Sequence, residues 1–213
     1  MLIGFVAYEG MTLLDLVGAY DSLARLRTMG FMPELHWEVV APESTVTDGS
    51  GMEIVADAAG TPLSGYDMIY VPGGMSTRHL MHDSSFLAWL STAESCPLKV
   101  SVCTGALLLG AAGFLRGKKA TTHPGAFHLL EPFCSEVLKK RLVDEGDVIT
   151  AGSVTASIDL GLYMVSRIAG RVVASKIREQ MDYRYVMSDS EIYVSRLPPP
   201  RRLPLATDRK KES

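Results

Sequence analysis

The chain has 213 residues, with 21 Lys and Arg against 24 Asp and Glu, a formal net charge of −3, and 47% hydrophobic residues. That balance describes an ordinary globular protein with enough chain for a substantial core, and it carries no electrostatic footprint for nucleic acid or an anionic membrane. Cys96, Cys103 and Cys134 form no CxxC or Cys/His metal spacing, which suits reduced thiols in a cytoplasmic protein with no metal and no cofactor.

Leu2 to Tyr8 is apolar on both faces, as a central parallel strand is. Its flanks lack the basic region of a signal peptide, and no apolar run is long enough to cross a bilayer. Glu9 and Gly10 turn the chain into a helix capped by Thr12 and running to about Met29, with Leu13, Leu16, Val17, Tyr20, Leu23 and Leu26 as its apolar stripe. Asp15 lies in the first turn of that helix. A carboxylate there either faces solvent and complements the helix dipole or, because the helix begins where the first strand ends, points across the strand edges.

Glu34 to Ala41 reads as a second strand, and the Gly-rich turn at Asp48 to Gly51 joins two extended runs between Thr45 and Asp57 into a small hairpin. Tyr66 to Val71 is another buried strand, ending in Pro72-Gly73-Gly74. Glycines at that edge either present N–H groups to an oxyanion or form a tight turn. Thr77 to Glu94 is helical, with Phe86, Trp89 and Leu90 inward; His79 and His82 lack a third ligand and read as surface residues.

Leu98 to Leu115, LKVSVCTGALLLGAAGFL, is the stretch around which the rest is arranged. A β-prone run is broken by Cys103, Thr104 and Gly105, and a small-residue helix follows at once from Ala106 to Leu115. This is the pattern of a nucleophile elbow, with Cys103 either at its apex or an ordinary buried cysteine. The helix N-terminus predicts a lowered thiol pKa. Lys118 to His123 is a short strand, Val148 to Thr150 another, Gly152 to Ala169 a long helix, and Val172 to about Tyr185 a last one. Residues 1–187 therefore form one α/β domain, and the Pro- and Arg/Lys-rich segment 188–213, with Arg201, Arg202, Arg209, Lys210 and Lys211, an extended or disordered tail.

Strands alternating with helices predict a doubly wound, mostly parallel sheet with helices on both faces. Asp15, Gly73, Gly74, Cys103, Thr104 and His123 all follow predicted strands, at the edge where such folds place their sites. Their convergence makes Cys103 the expected nucleophile.

The PGG loop, VCTGALLLGAAGFL, ATTH and DVITAGSVTASIDLGLYMV resemble the ThiJ/PfpI superfamily, part of the class I glutamine amidotransferase-like, flavodoxin-like fold. LDLVGAYD together with CTGALLLGAAG looks most like its isonitrile hydratases, cofactor-free dimers that convert an isonitrile and water to an N-substituted formamide. The resemblance implies Cys103 as nucleophile, Asp15 as general acid and base, Thr104 beside the nucleophile, and Gly73 and Gly74 as the Gly-rich loop; His123 joins them as a substrate-binding candidate by its position after a predicted strand. It implies a homodimer acting on a small molecule, without nucleic acid or membrane. Thr104 stands where protease-like members carry His, and Asp15 where deglycase-like members carry Glu; Pro124, Ser153 and Ser157 also depart from the common pattern and bear on the pocket. The rival readings are a non-enzymatic small-molecule sensor, like the regulators that join this fold to a helix-turn-helix pair, a redox sensor at Cys103, and another cysteine-dependent hydrolase or lyase of the superfamily.

Overall fold

In the computed structural model, which describes residues 1–195, the chain begins with β1 (Leu2–Val6), α1 (Leu13–Thr28) and β2 (His36–Ala41). The expected hairpin is β3 (Thr45–Thr47) antiparallel to β4 (Glu53–Val55), followed by β5 (Ala58–Ala59) and β6 (Met68–Val71). The helical stretch divides into α2 (Thr77–Leu80) and α3 (Ser84–Ser91), the latter capped by the Asp83 carboxylate, which accepts from the Ser85 and Phe86 amides. Next come β7 (Leu98–Val102), α4 (Gly105–Ala111), β8 (Lys119–Ala120), α5 (Phe127–Leu130) and β9 (Glu136–Val137). The chain ends with β10 (Leu142–Asp144), β11 (Val148–Ala151), α6 (Ala156–Ala169), α7 (Arg171–Gln180) and β12 (Ile192–Val194).

The main sheet runs β12-β10-β11-β7-β6-β1-β2-β5, parallel except where β10 meets β11. β1 lies between β2 and β6, with Ile3 opposite both Trp37 and Met68. The strands β6 and β7 are buried along their whole length, β6 wholly apolar and β7 carrying Lys99 and Ser101 among apolar residues. The Lys99 ammonium is satisfied by the carbonyls of Glu94 and Cys96 at 2.9 and 2.6 Å. One helical layer is α1, α6 and α7; the other gathers α2, α3 and α5 around α4. This is the doubly wound, mostly parallel α/β fold expected, of flavodoxin-like type. The chain leaves β1 in one direction and later extends the sheet in the other, so the crevice between β1 and β6 is its topological switch point.

Small residues fix how closely α1 and α6 pack. A Cβ on Gly18 would fall 2.2 Å from Ser157 Oγ, and one on Gly161 would fall 2.9 Å from the Ala19 Cα. The buried face of α1 accordingly includes Asp15, Leu16, Gly18, Ala19, Ser22 and Leu23, while Val17, expected in the stripe, is exposed.

Several boundaries move for identifiable reasons. The strand expected over Lys118 to His123 keeps only Lys119–Ala120, paired with β9 in a separate small sheet. Thr121 and Thr122 leave that ladder to bond Thr150 and Cys103. The elbow helix ends at Ala111 rather than Leu115, and α6 begins at Ala156, after the Gly152 amide bonds the Arg141 carbonyl. The last helix stops at Gln180, short of Tyr185, where Asp182 takes φ +47°. Nor does the expected tail begin at Ser188. Arg141 N–H donates to Glu191 C=O and Ser195 N–H to Asp144 C=O, drawing β12 onto the sheet edge beside β10. Arg201, Arg202, Arg209, Lys210 and Lys211 lie outside the described residues. His79 and His82 are exposed, and Trp89 is half-buried with its indole N–H on the Thr61 carbonyl. Among the described residues no helix is long and apolar enough to cross a membrane.

Candidate active site

Cys103 is the first residue past β7 and adopts φ +52°, one of two non-glycine residues with positive φ among the described residues. That conformation costs about 1–3 kcal/mol and persists only where neighbours over-determine it. They do so here. The Cys103 N–H donates to Ala151 C=O at 2.9 Å, and the Cys103 C=O accepts from Thr122 Oγ1 at 2.8 Å. The elbow is thus clamped from β11 on one side and from the ATTH segment on the other. Gly105 follows because a Cβ there would lie 2.3 Å from the Val71 carbonyl oxygen and 2.6 Å from that of Pro72.

Asp15 is fully buried, which rules out the solvated, dipole-complementing role. Thr12 makes no side-chain cap; its N–H bonds the Gly73 carbonyl instead, tying the start of α1 to the glycine loop. Asp15 Oδ2 accepts the Gly73 N–H at 2.8 Å, and Oδ1 is buried with no hydrogen-bond partner among the described residues. Its backbone carbonyl is held by Tyr70 Oη at 2.8 Å. Burial pushes the Asp15 carboxyl up to about 6, against the pull of the Gly73 N–H and the Cys103 thiol toward the ionised form.

The thiol moves opposite to the expectation from its helix N-terminus. Burial, and then the charge of Asp15, push Cys103 up to about 12, outweighing the Thr104 N–H that favours the thiolate. α4 spans only seven residues, and its dipole cannot offset a buried anion beside a second one. At neutral pH the shared proton therefore rests on sulfur, next to a carboxyl poised to take it.

The glycine loop is placed as expected but occupied differently. Gly73 N–H is spent on Asp15, and Gly74 N–H donates to Thr104 Oγ1 at 3.0 Å, while that hydroxyl donates back to Gly74 C=O at 3.0 Å. Both amides position protein groups, so the loop is not a ready oxyanion hole. Thr104, 3% exposed, staples the loop to the elbow. His123 follows Thr122, which bonds the Cys103 carbonyl, but its own hydrogen bond is directed elsewhere. It is half-buried, and its Nδ1 accepts the Gly125 N–H at 3.1 Å to cap the Pro124–Ala126 turn. A cleft of about 350 Å³ is lined among others by Thr122, Pro124, Phe127, Arg141 and Ser153, and neither Cys103 nor Asp15 lines it. Pro124 and Ser153 line that cleft, whereas Ser157 is buried against α1 and donates to the Leu14 carbonyl.

Tyr8, Tyr70 and Thr122 belong to the site and were not singled out from the sequence. Each had a trace there: Tyr8 closes the first apolar run, Tyr70 precedes the PGG loop by two residues, and Thr122 sits inside ATTH.

These ionisations make a stability prediction. An acid whose folded pKa lies above its unfolded one is most favourable to folding while protonated, so the contribution of Asp15 is present below about pH 4 and lost as pH rises to about 6. Asp15→Asn removes that loss, stabilising the protein at neutral pH by about 1–3 kcal/mol, with the difference vanishing near pH 4. Urea unfolding of both proteins across that range reads it directly; a gap independent of pH refutes the assignment.

Comparisons with known proteins find relatives over most of the chain. It is 37% identical over 183 residues to an isonitrile hydratase of Pseudomonas putida, covering 85% of this chain and 78% of that one. A crystal structure of a ThiJ/PfpI family protein from Pseudomonas syringae superposes with a TM-score of 0.79 at 32% identity, covering 87% of this chain and 76% of its own. The HTH-type transcriptional regulator CdhR of Pseudomonas aeruginosa is 26% identical over 180 residues, and the match spans 83% of this chain but 53% of the regulator. The pattern of the DJ-1/PfpI family matches residues 2–167, from β1 through most of α6 and across the whole Asp15, Gly73 and Cys103 cluster, and the chain belongs to that family.

Proposed function

We propose that this protein is an isonitrile hydratase, a cytoplasmic homodimer that adds water to a small isonitrile to give an N-substituted formamide. The observation that carries the reading is a buried carboxyl with one oxygen anchored and the other unpartnered, interacting with a thiol on a strained elbow. The similarity to the Pseudomonas putida enzyme supports it.

The chemistry follows from where the proton rests. As the Cys103 sulfur attacks the terminal isonitrile carbon, Asp15 takes the thiol proton and delivers it to that carbon, giving a thioimidate, R–N=CH–S–Cys103. Asp15 then draws a proton from water as the water oxygen adds to the same carbon, and hands that proton to the nitrogen. Collapse of R–NH–CH(OH)–S–Cys103 breaks the carbon–sulfur bond, and the hydroxyl proton returns to sulfur. The products are R–NH–CHO and the free thiol, the sum of one isonitrile and one water. A carboxyl near 6 beside a thiol near 12 suits a shuttle that is mostly ionised at rest and passes through its acid form.

The test is turnover of one alkyl and one aryl isonitrile by protein with Cys103 shown to be reduced, in water labelled with heavy oxygen. Formamide carrying one labelled oxygen, together with an acid-quenched adduct on Cys103 of the isonitrile's mass, is expected. No formamide from either substrate eliminates the reading and turns attention to a sensor or to another reaction at the same pair.

A further inference from the structure

Tyr8 takes no part in the chemistry just described, yet it is bound into the site. It is 1% exposed, its ring packs edge-on to Phe86 with centroids 5.6 Å apart, and its hydroxyl donates to the Pro72 carbonyl at 2.6 Å. That carbonyl and the Gly73 N–H belong to one peptide unit, and the N–H donates to Asp15 Oδ2 at 2.8 Å. The C=O and N–H of a trans peptide point in opposite directions, so the two bonds lie at opposite ends of one amide. The result is a continuous buried chain: Tyr8 O–H, Pro72 C=O, Gly73 N–H, Asp15 carboxylate.

We propose that Tyr8 is a positioning residue of this site, acting on the Asp15 carboxyl through the Pro72–Gly73 peptide. A donor on the carbonyl oxygen draws electron density through the amide and leaves the N–H a better donor; such bonds strengthen one another by roughly 10–30% in a medium of low dielectric. The better donor favours the ionised carboxyl, offsetting part of the burial that disfavours it. The bond also fixes the plane of the peptide, and with it the direction in which Oδ2 is held and Oδ1 left open. Tyr8 suits the task because burial, Asp15 and Cys103 hold its phenol well above the usual tyrosine range, so it remains a donor throughout the working pH range. The titratable groups around Asp15 are Cys103 on the elbow, Tyr8 beyond β1 and Tyr70 on β6. Tyr70 differs in kind, since its hydroxyl donates to the Asp15 backbone carbonyl rather than to the Pro72 carbonyl.

The experiment is a carbon NMR titration of aspartate-labelled protein, with the Asp15 resonance assigned by its loss in Asp15→Asn. The wild-type midpoint is expected at about 6. Tyr8→Phe moves it upward by about 0.1–0.7 unit, and Tyr70→Phe moves it by less. Difluorotyrosine installed at Tyr8 keeps the ring and strengthens the donor, so it moves the midpoint downward and stands in if Tyr8→Phe does not fold. A midpoint unchanged in the folded Tyr8 variants, or moved equally by Tyr70→Phe, overturns the proposal. The role in turnover rests on the hydratase reading, under which the acid limb of kcat/KM shifts with the NMR midpoint. The titration itself needs no substrate: a shifted midpoint in a protein that hydrates no isonitrile refutes the hydratase and leaves the Tyr8 relay standing.

Discussion

Asp15→Asn lowers isonitrile hydration by roughly 10²–10⁴-fold while making Cys103 more reactive toward an alkylating agent. The two effects have one cause. Asparagine still offers an oxygen to the Gly73 N–H, so the loop and the elbow keep their bonds. It cannot take the thiol proton or hand it to carbon, and the step that needs a proton moved between sulfur and carbon loses its carrier. The thiol meanwhile loses the negative neighbour that, after burial, does most to push it up to about 12. Each unit by which its pKa falls raises the thiolate fraction about tenfold at any pH below both values. Iodoacetamide labelling of Cys103 near pH 8, set beside hydration rates for the same preparations, reads both quantities. An ordinary structural lesion slows turnover and leaves labelling unchanged or erratic. A rise in labelling with a collapse in turnover separates a proton carrier from a prop, and a fall in both sinks the assignment.

The opposite signs explain what the sequence could and could not convey. The elbow was legible because strand, break and small-residue helix occupy consecutive positions, and the need for glycine at position 105 follows from local packing against Val71 and Pro72. The ionisation of its thiol was not, because the helix N-terminus is written next to Cys103 whereas the carboxyl that opposes it lies far back in the chain, at Asp15. Asp15 could be placed at a strand edge, but an acid in the first helical turn is most often solvated, and only the glycine loop and the elbow brought against it decide otherwise. Tyr8 read as the last residue of an apolar strand, since nothing local shows where a hydroxyl ends. At the far end, IYV at 192–194 is β-prone by composition, but the Pro-rich segment behind it gave the stretch a tail's appearance. Its pairing depends on backbone groups of Arg141 and Asp144, on a strand well before it in the chain.

Gly73→Ala disables the site although it keeps the amide N–H that an oxyanion hole would use. Gly73 has no φ in the left-handed region, so the substitution strains no backbone; the conflict is one of space. The new methyl would lie 2.6 Å from Thr104 N, 2.8 Å from Asp15 Oδ2 and 2.8 Å from Thr104 Oγ1. Thr104 N follows the clamped Cys103 and has little room to withdraw, so relief comes from two softer directions. Either the Asp15 carboxyl rotates off the Gly73 N–H, or the loop lifts and breaks the reciprocal Thr104–Gly74 pair. Overpacking of this kind costs about 1–3 kcal/mol, and a displacement near 1 Å at a reacting group costs about 10²-fold in rate. Both losses are expected together, in the urea midpoint and in kcat/KM. Gly65→Ala is the matched control, since a Cβ there meets nothing within 4 Å, and its stability should stay within about 0.5 kcal/mol of wild type. If the loop's glycines served to bare N–H groups to a developing anion, Gly73→Ala would retain most of its activity. A wild-type rate in that variant would return the oxyanion role to the loop, because it would mean that Asp15, the elbow and Gly73 leave room for one more carbon.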